Sequence, residues 1–88
     1  MKLVFASAAW ASYVQWQADD PAVVDRIHLL IGECMRHPFT GTGKPEPLKR
    51  NLAGWWSRRI NREHRLVYRV SGKDEAQALE ILSVRYHY

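Results

Sequence analysis

At 88 residues the chain has room for one hydrophobic core and none for a second domain, and with 47% hydrophobic against 25% charged residues it is too apolar for a disordered tail. Thirteen Lys and Arg against nine Asp and Glu leave a formal charge of +4 and a pI near 9.6, a balance that favours polyanions because each phosphate contact releases counterions. One cysteine, Cys34, excludes an internal disulfide, no Cys/His spacing matches a zinc site, and nothing calls for a cofactor; with no apolar run long enough for a bilayer and no secretory h-region after Met1, no membrane partner and a cytoplasmic location are expected.

Lys2 to Ala6 (KLVFA) reads as a strand ending at Ser7, a helix N-cap. From Ala8 to about Ala18, Trp10, Tyr13, Val14 and Gln17 recur at helical spacing, and this aromatic stripe is expected in the core. Asp20 followed by Pro21 predicts the start of a second helix, because a proline at the first helical position loses no hydrogen bond and the carboxylate meets the positive helix end. Val23, Val24, Ile27, Leu30, Ile31, Cys34 and Met35 form its apolar stripe, and Pro38 ends it at about His37.

Phe39 to Pro47 (FTGTGKPEP) holds two Gly and two Pro in nine residues and reads as a loop, with Pro47 able to open one turn of helix. Three strands follow: Trp55 to Ile60, Arg65 to Val70 and Ala78 to Val84, with turns at Asn61 to His64 and Ser71 to Glu75. Strand, helix, helix and then a meander implies an α+β fold, two N-terminal helices on one face of a mainly antiparallel twisted sheet. Alternation puts Leu66, Tyr68 and Val70 on one face and Arg65, Val67 and Arg69 on the other; likewise Trp56, Arg58 and Ile60 oppose Trp55, Ser57 and Arg59. One of the adjacent Trp55 and Trp56 therefore enters the core while the other lies near a basic face opposite the helices.

RNA can be cut through its own 2′-hydroxyl if a base takes one proton, an acid protonates the departing 5′-oxygen, and fixed cations meet the charge on the phosphate. Glu46 in the Gly/Pro loop, Lys49, Arg59, Arg65 and the near-terminal His87 supply those groups, although they lie on separate segments. Each also fits a plainer role: Glu46 as a solvated loop acid, Lys49 as an ordinary surface charge, Arg58, Arg59 and Arg65 as charges that guard a sheet against edge pairing. Tyr86 and Tyr88 flank His87 with apolar bodies that would hold it against fraying. His28, His37 and His64 read as the edge of a polar helix face, a helix end and a turn.

Four spaced motifs, GKPEPL at Gly43 to Leu48, WSRRI at Trp56 to Ile60, EHRLVY at Glu63 to Tyr68 and RYHY at Arg85 to Tyr88, resemble the YoeB family of the RelE/ParE toxin superfamily over nearly the whole chain. That resemblance implies a RelE-like, microbial-ribonuclease-like fold and a ribosome-dependent messenger-RNA interferase working in the ribosomal A site beside 16S rRNA. It also implies Glu46 as general base and His87 as general acid, without settling the split between them. Lys49, Arg59 and Arg65 would hold the phosphate, Tyr88 would orient the nucleotide, and Lys44 would add to RNA binding. The implied partners are a second copy of the chain and an acidic, YefM-like antitoxin. Two alternatives remain at this point: a ParE-like toxin that binds a protein target without catalysis, which would not need Glu46, Arg65 and His87 together, and a ribonuclease that acts without the ribosome.

Overall fold

The computed structural model describes residues 1–86. Strand β1 (Lys2–Phe5) leads into helices α1 (Ser7–Asp19) and α2 (Pro21–Arg36), followed by β2 (Glu46–Pro47), β3 (Trp56–Arg59), β4 (Arg65–Ser71) and β5 (Ala78–Ser83). Two 3-10 turns, Arg50–Leu52 and Asp74–Ala76, sit in the connections. The strands form one sheet in the order β1-β5-β4-β3-β2, antiparallel throughout except that β1 runs parallel to β5. This is the expected α+β arrangement with a mainly antiparallel sheet. No helix among the described residues is long and apolar enough to cross a membrane.

Helix α2 follows its sequence pattern closely. Asp20 caps it, its carboxylate accepting the Ala22 N–H at 3.2 Å, Pro21 opens it, and His37 closes it just before Pro38. Val23, Ile27, Leu30, Ile31 and Cys34 are buried against Leu66, Tyr68, Leu79 and Ile81 of the sheet. Each such Leu or Ile removed from water contributes about 1.5–3 kcal/mol, which makes this interface the main source of stability.

Helix α1 departs from expectation twice. Its N-cap is Ala6 rather than Ser7, with no side-chain cap hydrogen bond, because the chain is still extended at Ala6 and turns helical one residue earlier than expected. Its buried residues are Ala9 and Trp16, while Trp10 and Val14 are exposed at 52% and 47%. Ala9 is small enough to bring the helix close to the sheet, and the Trp16 indole N–H finds the Val84 carbonyl at 2.9 Å. A buried indole needs such a partner, and this one decides which stripe of α1 turns inward. Trp10 packs instead on Phe5 and Tyr13 at the outer edge.

The Gly/Pro stretch is a loop that ends in the edge strand β2, and Pro47 lies in that strand rather than opening a helical turn. An edge tolerates a proline because one side of its backbone has no sheet partner to satisfy. The helical turn comes later, at Arg50–Leu52. Between β4 and β5 the pairing shifts by one residue at Val67/Tyr68, where Val67 pairs with Ser83 and Tyr68 with Ile81. Such a bulge bends a strand end and commonly re-aims the side chains beyond it.

Candidate functional site

Register alone assembles one face of the sheet. Glu46 lies opposite Ser57, Ser57 opposite Val67, and Arg59 opposite Arg65. Directly opposed residues share a face, as do residues two apart along a strand. Glu46, Ser57, Arg59, Arg65 and Arg69 therefore project from the side away from the helices, since Trp56, Arg58, Ile60, Leu66 and Tyr68 take the inner side. Strands about 4.8 Å apart, rising about 3.3 Å per residue, bring the backbones of Glu46, Arg59 and Arg65 within roughly 12 Å of one another.

Two lysines flank the carboxylate in sequence. Lys44 precedes Glu46 in a left-handed turn, where Gly43 (φ 86) and Lys44 (φ 52) both carry positive φ and the Gly43 carbonyl accepts the Arg59 N–H at 2.7 Å. That contact sets Lys44 beside the Arg59 end of the face. Lys49 follows Glu46 on the other side, past the Leu48 N–H bond to the Trp55 carbonyl. Lys44, Glu46, Lys49 and Arg59 are all exposed. Arg65 is half-buried, and its guanidinium donates to the carbonyls of Asn61 (2.8 Å), His64 (3.1 Å) and Arg62 (3.4 Å), which fixes the cation before any ligand arrives.

Arg69 shares this face but is engaged. It stacks over Trp55 at 4.4 Å and makes two contacts to the Glu80 carboxylate at 3.2 and 3.3 Å. The hydrogen bonds of Ser71 and Arg69 hold the Glu80 carboxyl below its usual range. The positive surface therefore concentrates at β2, β3 and the start of β4. Trp55 lies on the open face and Trp56 packs against the core and Phe39, as the alternation required.

Arg58 is the residue whose role changes most. Instead of guarding an exposed sheet it is fully buried, and all five of its N–H groups are used. They go to Tyr68 Oη (3.2 Å), Glu33 Oε1 (3.1 Å) and the carbonyls of Thr42 (3.1 Å), Thr40 (2.8 Å) and His37. Tyr68 in turn donates to the Pro38 carbonyl at 2.5 Å, and burial pushes its phenol up to about 12. The Thr42 backbone N–H, with further help from the Thr42 side chain and Arg58, holds the Glu33 carboxyl low. Gly41 passes so close that a Cβ there would sit 1.8 Å from Glu33 Oε1, so this turn needs glycine. One inward-facing cation thus shapes the loop that delivers Lys44 and Glu46. The signal was present in the sequence, since Arg58 alternates with Trp56 and Ile60 on an apolar face.

Helix α2 braces the end of β3 as well, with Arg26 donating to the carbonyls of Ile60 (3.2 Å) and Arg59 (3.1 Å). His64, expected as a turn residue, does stand beside the turn capped by Asn61 Oδ1, but its ring is buried. His28 is exposed and bonds Tyr13 Oη at 2.5 Å, in keeping with a place at the edge of α2. The assignments to His87 and Tyr88 fall outside the described residues. The described face offers, chemically, a carboxylate able to take a proton, beside two guanidinium groups and an ammonium group able to meet a phosphate.

The family model of YoeB-like toxins of bacterial type II toxin-antitoxin systems matches residues 5–88. Toxin YoeB of Synechocystis sp. is 51% identical over all of this chain and 98% of its own length. The solved YoeB/ParE toxin from Agrobacterium tumefaciens is 52% identical, with a TM-score of 0.96 over the whole of both chains. From Staphylococcus aureus, a YoeB dimer and a YoeB-YefM complex each align over 100% of this chain and 98% of theirs at 40% identity, with TM-scores of 0.89 and 0.86. Sequence, topology and full-length coverage agree, and the chain belongs to the YoeB-like toxins of bacterial type II toxin-antitoxin systems.

Proposed function

We propose that this chain is an endoribonuclease toxin that cuts messenger RNA in the ribosomal A site, beside 16S rRNA, and so stops translation. The observation that carries the reading is the shared open face on which Glu46 stands among Lys44, Arg59 and Arg65. Glu46 takes the proton of the RNA 2′-hydroxyl as that oxygen attacks the adjacent phosphorus. Arg59, Arg65 and Lys49 meet the negative charge that grows on the phosphate oxygens, a task for which the prefixed Arg65 guanidinium needs little reorganisation. His87 protonates the departing 5′-oxygen, leaving a 2′,3′-cyclic phosphate, and Tyr88 orients the nucleotide. The chemistry is complete with side chains alone and calls for no metal ion. A ribosomal substrate puts this activity in the cytoplasm.

Two partners belong to the reading. The S. aureus relative solved with YefM supports an acidic, YefM-like antitoxin, for which the same basic face with Trp55 at its margin is a suitable seat. The S. aureus YoeB dimer supports a homodimer, and the exposed apolar side chains of Leu3, Trp10 and Val14 at one edge are the kind of patch that self-association covers.

The test is primer-extension mapping on a translated message and on the same RNA without ribosomes, with wild type, Glu46→Gln and His87→Gln side by side. Cuts in the decoded codon that fall by about 10²- to 10⁴-fold in each variant are expected. Wild-type rates in both variants would remove the acid/base assignment. Equal cutting of naked RNA would make the enzyme ribosome-independent.

A further inference from the structure

His64 is 7% exposed, and both of its ring nitrogens are engaged. Nδ1 accepts the Tyr86 backbone N–H at 2.7 Å, and Nε2 faces Glu63 Oε2 at 3.1 Å. A backbone amide can only donate, so Nδ1 carries no proton and the ring hydrogen sits on Nε2, toward the carboxylate. The edge of the ring packs against Trp16 with centroids 4.8 Å apart, and Trp16 itself holds the Val84 carbonyl. The whole arrangement is directed at the chain after β5.

Tyr86 shows why such a hold is needed. Its φ of 61 lies in the left-handed region, which a bulky side chain occupies only where its surroundings impose it. Two consecutive residues impose it here. The His64 side chain takes the Tyr86 N–H, and the Arg65 N–H donates to the Tyr86 carbonyl at 2.8 Å. Strand β5 has already ended at Ser83, so these bonds take over the role of the sheet ladder. Arg85 adds an anchor by stacking on Trp16 at 4.0 Å and bonding Asp19 at 3.1 Å.

We infer that His64 is a positioning residue for RNA cleavage: through its Nδ1 bond it fixes the Tyr86 peptide, from which His87 follows directly. The inference rests on the proposed role of His87 as general acid. His64 touches neither RNA nor the reacting atoms in this role. It fixes one backbone rotation, and a displacement of about 1 Å at a catalytic group lowers a rate on the order of 100-fold.

The experiment compares wild type, His64→Asn and His64→Phe in the full-length protein. Asparagine presents an oxygen near the Nδ1 position, whereas phenylalanine keeps the ring against Trp16 and removes the acceptor. Two readouts are taken: hydrogen exchange of the Tyr86 amide by NMR, and single-turnover cleavage on programmed ribosomes as a function of toxin concentration. Expected for His64→Phe is at least tenfold faster exchange and roughly 10- to 100-fold slower cleavage at saturation, with the half-saturating concentration within twofold of wild type. His64→Asn should restore both toward wild type. If His64→Phe does not fold, an amide-to-ester replacement at the Arg85–Tyr86 bond, with the α-hydroxy acid counterpart of tyrosine at position 86, removes the donated N–H while leaving the left-handed φ accessible, and should give the same loss of rate. The inference is overturned if His64→Phe exchanges as wild type, if it exchanges fast yet cuts at the wild-type rate, or if His64→Asn is no better than His64→Phe. Those results, with an active wild type, leave the nuclease reading standing. A wild type that cuts nothing removes that reading and the positioning role with it, while the exchange data still report whether His64 holds Tyr86.

Discussion

The two faces of β3 treat adjacent arginines in opposite ways. On the inner face Arg58 loses all contact with water and spends every N–H group on the loop from His37 to Thr42, Glu33 and Tyr68. On the outer face Arg59 is exposed, and what is fixed is its backbone, through Gly43 and Arg26. A buried guanidinium is tolerable only when fully partnered, and once partnered it imposes geometry on whatever supplies the partners. An exposed one keeps its binding capacity for a ligand. The difference teaches that one dipeptide, through strand alternation alone, divides into a residue that shapes the loop and a residue left open to a ligand.

Substitution can break this division. Arg58→Ala leaves the Glu33 carboxylate and several loop carbonyls without their donor, so unfolding in urea should show a loss of about 3–5 kcal/mol. Arg59→Ala should do the reverse. Its stability should stay within about 0.5 kcal/mol of wild type, while cleavage on programmed ribosomes drops about tenfold or more, the worth of a charge-assisted phosphate contact of about 1.5–3 kcal/mol. If the two variants lost stability equally, the contrast would not hold.

A smaller effect is expected from pH. The folded protein holds the Glu33 carboxyl below its unfolded value, so its contribution is complete above the ordinary glutamate range near pH 4.5 and disappears as the pH falls through the depressed folded value. Glu33→Gln should therefore flatten part of the acid limb of a stability-against-pH curve, and an acid limb identical to that of wild type would remove this contribution.

How far all this could be read from the chain depends on what each segment's neighbours do. Helix α2 and strands β3, β4 and β5 were legible because one apolar stripe, one proline or one alternation left a single arrangement. The outward sharing of Glu46, Arg59 and Arg65 was only half legible. Alternation gave the arginines, but Glu46 joined them because a proline-bearing stretch became an edge strand in register with Ser57, and no local signal sets register. Helix α1 misled because it carries two stripes, one through Trp10 and Val14 and one through Ala9 and Trp16. The choice between them was made by a carbonyl 68 residues away, at Val84. Composition points to the larger aromatic cluster, whereas the indole's need for an acceptor points to the smaller one. His64 was missed for the same reason, since its partner Tyr86 is 22 residues distant.

The place of β5 between β1 and β4 carries a consequence for synthesis. Lys2 to Phe5 pair with Ala78 to Ile81, so β1 waits for β5, and Leu79 and Ile81 complete the core only then. A nascent chain in which Ala78 to Ile81 are still inside the peptide exit tunnel lacks the centre of its own sheet. The order of the strands thereby leaves β1 unpaired and the core open until β5 has left the ribosome.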